Sequence, residues 1–215
     1  MKAIILAAGE AKRYGGNKVL TRYKKKSLLE WNVLFAVKHG ITEICITINK
    51  KYAQEIIDEI DDLKRRYDFV PKFAFQPDDM YGPAAAIMPW KDLDEDFLLL
   101  LGDNYYEGEI QWSLGDNDCV ATCMTFTKSE ENLRFSYITD DNRIIEKPHN
   151  YDQGRYYIGF MMFKKEMLKN IDTLVPSGRG EYELTDFFNT GSKRSIQPLN
   201  MHWFDIARKE ELEYV

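Results

Sequence analysis

The sequence predicts an α/β fold: a mostly parallel sheet flanked by helices, with a mixed, partly antiparallel lobe in the second half. Three observations predict it. Short unbroken apolar runs at Lys2–Ala7 and Phe97–Leu101 read as strands buried on both faces. Between them, residues 27–38 and 52–67 carry apolar side chains at helical spacing. After Asp103 the alternation of strand and helix gives way to a series of short strand-like runs.

Each element has a local reason. The first strand runs into Gly9. The first helix starts at Ser27, an N-cap with Glu30 three residues on as a capping box, and stops at Gly40. Residues 43–48 are rich in β-branched side chains and form the second strand. The helix over 52–67 buries Ile56, Ile57, Ile60 and Leu63 on one face. A third strand follows at 72–75 and a short helix after Gly82. Alternating strands and helices imply parallel β-α-β units. In the second half, 120–127, 135–139, 143–146, 156–163 and 195–199 read as strands, and 165–171, 183–189 and 208–214 as helices. The chain reads as a single domain, with a nucleotide-binding half over 1–116 and an acceptor-binding half over 117–215.

Composition narrows the function. The chain has 215 residues, 44% of them apolar and 30% charged, an ordinary globular balance. A net charge of −6 supplies no electrostatic footprint for nucleic acid, so an anionic substrate must be met by local cations or a metal. The apolar run near Met1 is too short to span a bilayer, and a cytoplasmic protein is expected. Cys45, Cys119 and Cys123 fall in apolar runs and match no metal-ligand spacing, so buried free thiols are expected. The runs at 24–26 and 64–66 read as solvated faces.

In open α/β sheets ligands bind beyond the carboxyl ends of the strands, and three motifs fall there. The first, LAAGEAKRYGGNK, joins a buried strand to small residues whose amides can point at phosphate oxygens, with Arg13 and Lys18 as cations and Gly15 and Gly16 as flexible joints. It is neither a P-loop nor a G-x-G-x-x-G fingerprint, and a plain Gly-containing surface loop has the same composition. The second, LLLLGDN, sets Asp103 directly after the most apolar strand, where it can hold Mg²⁺ or simply make an Asx turn. The third, HWFDI, offers Asp205 as a second carboxylate for the same ion, or as the N-cap of a following helix. His202 reads as a packed or surface side chain. Tyr105, Tyr106, Tyr156 and Tyr157 are candidates for the lining of an acceptor pocket or for packing.

LAAG with Arg13 and Lys18, LGDN, EKP at Glu146, Lys147 and Pro148, RGEYELTD from Arg179, WFDI, and FQPDDMYGPAAA from Phe75 occur in the order seen in sugar-phosphate nucleotidylyltransferases. The chain resembles this family over almost its whole length, most of all the glucose-1-phosphate thymidylyltransferases and uridylyltransferases. The resemblance implies a Rossmann-like fold similar to that of GT-A glycosyltransferases, and transfer of a nucleoside monophosphate from dTTP or UTP to a sugar 1-phosphate with release of pyrophosphate. It implies Mg²⁺ held by Asp103 and Asp205, with Arg13, Lys18 and Asp103 as the catalytic set. Leu6, Ala7, Ala8 and Gly9 would line the nucleotide, Arg13 and Lys18 would grip the triphosphate, and Gln76 and Gly82 would touch the base. Glu146 would bind sugar hydroxyls and Lys147 the acceptor phosphate. Ser136, Gly159 and Trp203 would border the sugar, Ser136 standing where the family has glycine. No nucleic-acid or membrane partner is implied.

The chain departs from that pattern in places. Glu10, Ala11 and Lys12 replace a Gly-containing stretch, and the short interval from Arg13 to Lys18 resembles molybdopterin guanylyltransferases. Pro83 stands where the thymidylyltransferases carry leucine. The base therefore stays open among dTTP, UTP and CTP. A CTP-dependent cytidylyltransferase for a non-sugar phosphate or phosphonate, and a GT-A glycosyltransferase, are the alternatives. No Ser-His-Asp or Cys-His group is assembled by any motif. In-line phosphoryl chemistry needs none, because alignment and charge neutralisation supply most of the acceleration.

Overall fold

A computed structural model describes residues 1–10, 14–127, 134–148 and 153–206. Its strands are β1 (Lys2–Ala7), β2 (Arg22–Tyr23), β3 (Lys26–Ser27), β4 (Glu43–Ile48), β5 (Val70–Phe75), β6 (Phe97–Leu101), β7 (Asn104–Glu107), β8 (Cys119–Thr127), β9 (Ser136–Ile138), β10 (Ile144–Ile145), β11 (Gln153–Phe163), β12 (Arg194–Pro198) and β13 (His202–Asp205). The α-helices are α1 (Leu28–Lys38), α2 (Ala53–Lys64) and α3 (Leu184–Asn189). The main sheet runs β10-β9-β11-β6-β1-β4-β5, with β8 on β11 and β12 on β8. Its β6-β1-β4-β5 part is parallel, and from β11 outward it turns antiparallel, with β12 parallel to β8. The mixed second half thus extends the same sheet.

Strand alternation explains the layers. Ala3, Ile5 and Ala7 of β1 join Leu29 and Val33 of α1 and Ile56, Ile60 and Leu63 of α2 in one core. Ile4 and Leu6 face the other way, onto Ala84, Ala86, Ile87, Phe187 and Phe188. Both faces of β1 are covered, which is why its sequence is apolar without a break. Ser27 caps α1 by accepting from the Glu30 amide at 2.9 Å, and Gly40 ends it at φ +74°. The capping box is only half made. The Glu30 carboxylate is buried and instead receives Arg66 at 2.7 Å and the Tyr67 hydroxyl at 2.8 Å. Arg66 therefore neutralises a buried acid, a role the solvated-face reading of residues 64–66 omits.

Several expected helices are shorter or tighter. The segment after Gly82 is a run of turns ending in a 3-10 helix at Met88–Trp90, and Lys165–Thr173 is also 3-10. α3 matches the helix read at 183–189, while the helix read at 208–214 lies outside the described residues. Cys45, Cys119 and Cys123 are buried and free, as expected. Among the described residues no helix is long and apolar enough to cross a membrane.

Candidate active site

The centre of the site lies where β6 ends. Gly102 packs so tightly on β1 that an added Cβ would sit 2.7 Å from the Leu6 carbonyl oxygen, and its amide donates to that oxygen at 3.0 Å. A residue without a side chain is needed there, and the following Asp103 is delivered to the carboxyl edge of the sheet. Lys18 opens a short 3-10 helix anchored by the buried Val19. Its Nζ lies 2.5 Å from Asp103 Oδ2 and 3.6 Å from Asp205 Oδ1. Burial alone would lower the Lys18 pKa, but the Asp103 and Asp205 charges outweigh it and hold it above the usual lysine value. Lys18 remains a cation at any working pH.

Asp205 comes to this point through a strand pair that sequence reading missed. β13 runs antiparallel to β7 with His202, Trp203, Phe204 and Asp205 opposite Glu107, Tyr106, Tyr105 and Asn104. That register places Asp205 beside the neighbour of Asp103. The directly opposed Phe204 and Tyr105 rings stack at 4.8 Å, and Tyr23 meets both edge-on at 4.9 Å. Such aromatic pairs stabilise by about 0.5–1.5 kcal/mol each beyond simple burial. On the opposite face the Trp203 indole donates to Asn104 Oδ1 at 2.8 Å, and Asn104 Nδ2 donates to Asp103 Oδ1 at 2.9 Å. The buried Asn32 amide fixes the Asn104 carbonyl at 2.9 Å. Asn104 is the first residue of β7 and orients Asp103, which lies in the turn between β6 and β7.

A cavity of about 230 Å³ opens from the acidic pair toward the antiparallel strands. Asp103, Asp205, Ser136, Glu146, Lys147, Gly159 and Trp203 all border it. Glu146 is its hub. Oε2 accepts from Ser136 Oγ at 2.8 Å and Thr185 Oγ1 at 3.4 Å; Oε1 faces Arg179 Nη2 at 3.0 Å and Lys147 Nζ at 3.2 Å. Burial would raise the Glu146 pKa, but Lys147, the Ser136 hydroxyl and Arg179 more than offset it, and the carboxyl sits below its usual value. Lys147 has φ +41°, a left-handed turn that follows the buried Ile144 and sets Glu146 and Lys147 side by side. Gly159, at φ +83°, lies in the irregular stretch of β11 between Tyr157 and Met161, where a Cβ would meet Thr122 Oγ1 at 2.6 Å.

The expected nucleotide residues cluster at the open end of β1. Leu6, Ala7 and Ala8 are buried and Gly9 is exposed. Asn49, after β4, donates to the carbonyls of Ala8 at 2.9 Å and Gly9 at 3.2 Å and fixes their direction. Gln76 follows β5 and donates Nε2 to the Met80 carbonyl at 2.7 Å. Gly82 has φ +103° and a Cβ there would meet the Tyr182 carbonyl at 2.5 Å, so its glycine identity is explained by packing on RGEYELTD. Neither Gln76 nor Gly82 borders the cavity. Arg13 lies outside the described residues.

Residues 2–213 match the sequence profile of the family described as Nucleotidyl transferase. The chain belongs to that family. It is 27% identical over 223 residues to a bifunctional sugar-1-phosphate nucleotidylyltransferase/acetyltransferase of Sulfurisphaera tokodaii, an alignment covering 97% of this chain and 53% of that protein. The chain therefore spans about half the length of that relative. It is also 27% identical to a UTP–glucose-1-phosphate uridylyltransferase of Haloferax volcanii, over 86% of this chain and 81% of the other. Among solved structures, a putative glucose-1-phosphate thymidylyltransferase from Bacillus anthracis superimposes with a TM-score of 0.85 at 21% identity, covering 100% of this chain and 93% of that one. That likeness bears on the fold, which is the Rossmann-like arrangement expected.

The site of this nucleotidyl transferase contains more than the sequence disclosed. Asn104, Arg134, Tyr157, Arg179, Glu183 and Thr185 also border the cavity. Arg134 donates to the Asp205 carbonyl at 3.3 Å, and Arg179 bridges Glu146 and the buried Glu183 at 2.9 Å. Arg179 and Thr185 lie in RGEYELTD, a motif noticed as a landmark whose polar density was the available signal. Of the four candidate tyrosines, Tyr157 borders the cavity. Tyr105 is stacked in the aromatic cluster, Tyr106 is core, and Tyr156 stacks on Phe126 at 4.5 Å. His202 is exposed, as expected.

Proposed function

We propose that the chain is a Mg²⁺-dependent nucleotidylyltransferase that transfers a nucleoside monophosphate from dTTP or UTP to a sugar 1-phosphate and releases pyrophosphate. The observation that carries this reading is the convergence of Lys18, Asp103 and Asp205 at the mouth of a cavity whose far wall is Glu146 with Lys147 and Arg179. A hard-oxygen pair of this kind fits Mg²⁺, which is ordinarily held by one or two carboxylates together with substrate phosphates.

The reaction follows from the placement of charge. An oxygen of the acceptor phosphate attacks the α-phosphorus, and the bond from that phosphorus to the β-phosphate bridge breaks on the opposite side. Two anions must approach each other, so each needs its own cations. Lys147 and Arg179 suit the acceptor phosphate, and Lys18 and Arg13 the triphosphate. Mg²⁺ bound by Asp103 and Asp205 would neutralise charge on the nucleotide and orient its phosphates. Ala8 and Gly9 would line the nucleotide, with their carbonyls held by Asn49, and Gln76 would touch the base. Glu146, Ser136, Gly159 and Trp203 would border the sugar. An enzyme of this kind acts in the cytoplasm, where both substrates are made.

The test is pyrophosphate release on mixing nucleoside triphosphates, Mg²⁺ and a panel of sugar 1-phosphates. Turnover that needs all three, and that Asp103→Asn removes without loss of fold, is expected. Pyrophosphate release independent of any acceptor, or unaffected in Asp103→Asn, contradicts the reading.

A further inference from the structure

Ser136 and Tyr157 face each other directly across the antiparallel β9–β11 ladder, and both border the cavity. Together with Glu146 they form one wall of it. Two features of that wall are specific to this chain's side chains.

The first is how Glu146 is occupied. Both its oxygens have partners, but the partners differ in mobility. Oε2 is held by the hydroxyls of Ser136, 5% exposed, and Thr185, 2% exposed, each fixed on regular structure. Oε1 is held by Lys147 and Arg179, whose side chains are 42% and 45% exposed. A phosphate arriving between Lys147 and Arg179 would draw these two long cations toward itself and open Oε1. Oε2 stays engaged. Glu146 then has one oxygen to offer a sugar, and it grips a single hydroxyl rather than a neighbouring pair.

The second is Tyr157. Its hydroxyl has no hydrogen-bond partner among the described residues, although the side chain is largely enclosed and borders the cavity. Burial, and then the nearby Glu146 charge, push its pKa well up, so it remains a neutral donor and acceptor. The Tyr157 side chain is partly buried and lines the cavity, so its hydroxyl is placed to pair with a ligand there. Space is also short. The cavity holds about 230 Å³, below the roughly 300–1,000 Å³ of common small-molecule sites, and part of it serves the acidic pair.

Resting on the nucleotidylyltransferase reading, we infer that Ser136 and Tyr157 set acceptor choice: the site takes a sugar 1-phosphate that presents free hydroxyls to this wall and excludes one carrying an acylamino branch there. One sugar hydroxyl meets Glu146 Oε1 and a second meets the Tyr157 phenol. An N-acyl group lacks room beside Ser136 in a cavity of about 230 Å³.

The experiment compares kcat/KM for glucose 1-phosphate, galactose 1-phosphate and N-acetylglucosamine 1-phosphate, at saturating nucleotide and Mg²⁺, in the full chain and in Ser136→Gly, Ser136→Ala and Tyr157→Phe. Circular dichroism checks the fold of each. The wild type is expected to favour an unacylated acceptor by about tenfold or more. Ser136→Gly should narrow that ratio about tenfold by opening space and releasing Oε2, and Ser136→Ala should narrow it less. Tyr157→Phe should raise acceptor KM about tenfold, the size of one lost hydrogen bond, while nucleotide KM stays put. Equal use of acylated and unacylated acceptors by the wild type overturns the inference. So does an unchanged ratio in active Ser136 variants together with an unchanged acceptor KM in Tyr157→Phe. Both results leave the nucleotidylyltransferase reading standing. Absence of turnover with every nucleotide and acceptor removes that reading, and this inference with it.

Discussion

The proposed nucleotide end and the proposed acceptor end of the site are built by opposite routes. At the first, β1, β4 and β6 are parallel neighbours, and each runs directly into a loop carrying proposed site residues: Ala8 and Gly9 after β1, Asn49 after β4, Asp103 after β6. Position follows from chain order. At the acceptor end, Ser136, Glu146, Tyr157, Arg179 and Thr185 come from β9, the loop after β10, β11, a turn and α3. They meet through antiparallel register and a branched hydrogen-bond network centred on one carboxylate. The first end is made of backbone and strand termini, the second of side chains holding side chains. A substitution at the second should therefore spread further through its neighbours than one at the first.

The largest effect belongs to the centre that both ends share. Asp103→Asn should lower kcat about 10³-fold or more, since several kcal/mol of charge stabilisation are lost at roughly tenfold per 1.4 kcal/mol. Steady-state kinetics check this, with thermal melting to show the fold intact. Glu146→Gln should raise acceptor KM about 10- to 100-fold, as charged hydrogen bonds of about 1.5–3 kcal/mol are weakened, with nucleotide KM little changed. A matching rise in nucleotide KM would break the distinction between the two ends. Asn49→Ala is the reciprocal test: it frees the Ala8 and Gly9 carbonyls and should raise nucleotide KM up to about tenfold while sparing the acceptor.

Trp203→Phe keeps a ring on β13 but removes the indole donor to Asn104, which itself orients Asp103. Titration with Mn²⁺ should show affinity weakened by about tenfold, as for other groups that support a metal ligand. The smallest effect is one of pH. The Glu146 pKa is lowered in the folded chain, so its contribution to stability is fully present above the ordinary glutamate value, about 4.3, and fades as pH falls through the lower folded value. Denaturant unfolding of wild type and Glu146→Gln should show a gap that is constant near neutrality and closes only in acid.

Legibility in the sequence tracks the same contrast. β1, α1, β4, α2 and β6 could be read because burial on two faces, or on one helical stripe, writes a local pattern. Asp103 was legible as the acid after the most apolar strand, and Lys18 as the cation closing the first loop. Asp205 was visible as a residue but its strand was not. β13 is four residues long, and its partner β7 lies about a hundred residues earlier, so its aromatic run resembles a helix entry as much as an edge ribbon. The capping box at Ser27 failed on its second half because Glu30 found Arg66 and Tyr67, partners no local rule contains. Tyr157 and Tyr156 are adjacent and chemically identical in sequence. Only the pleat, together with the irregularity near Gly159, decides that one borders the cavity and the other stacks on Phe126.

The account depends most on Asp103 and Asp205 acting as a pair. Crystals grown with a non-hydrolysable nucleoside triphosphate and Mn²⁺, with anomalous difference maps collected, test that directly. One metal peak should touch an oxygen of each aspartate at inner-sphere distance, about 2.1 Å for Mg²⁺, with the Lys18 ammonium moved onto the phosphates. A metal bound by only one of the two, or Lys18 still lodged between them beside bound nucleotide, would contradict it.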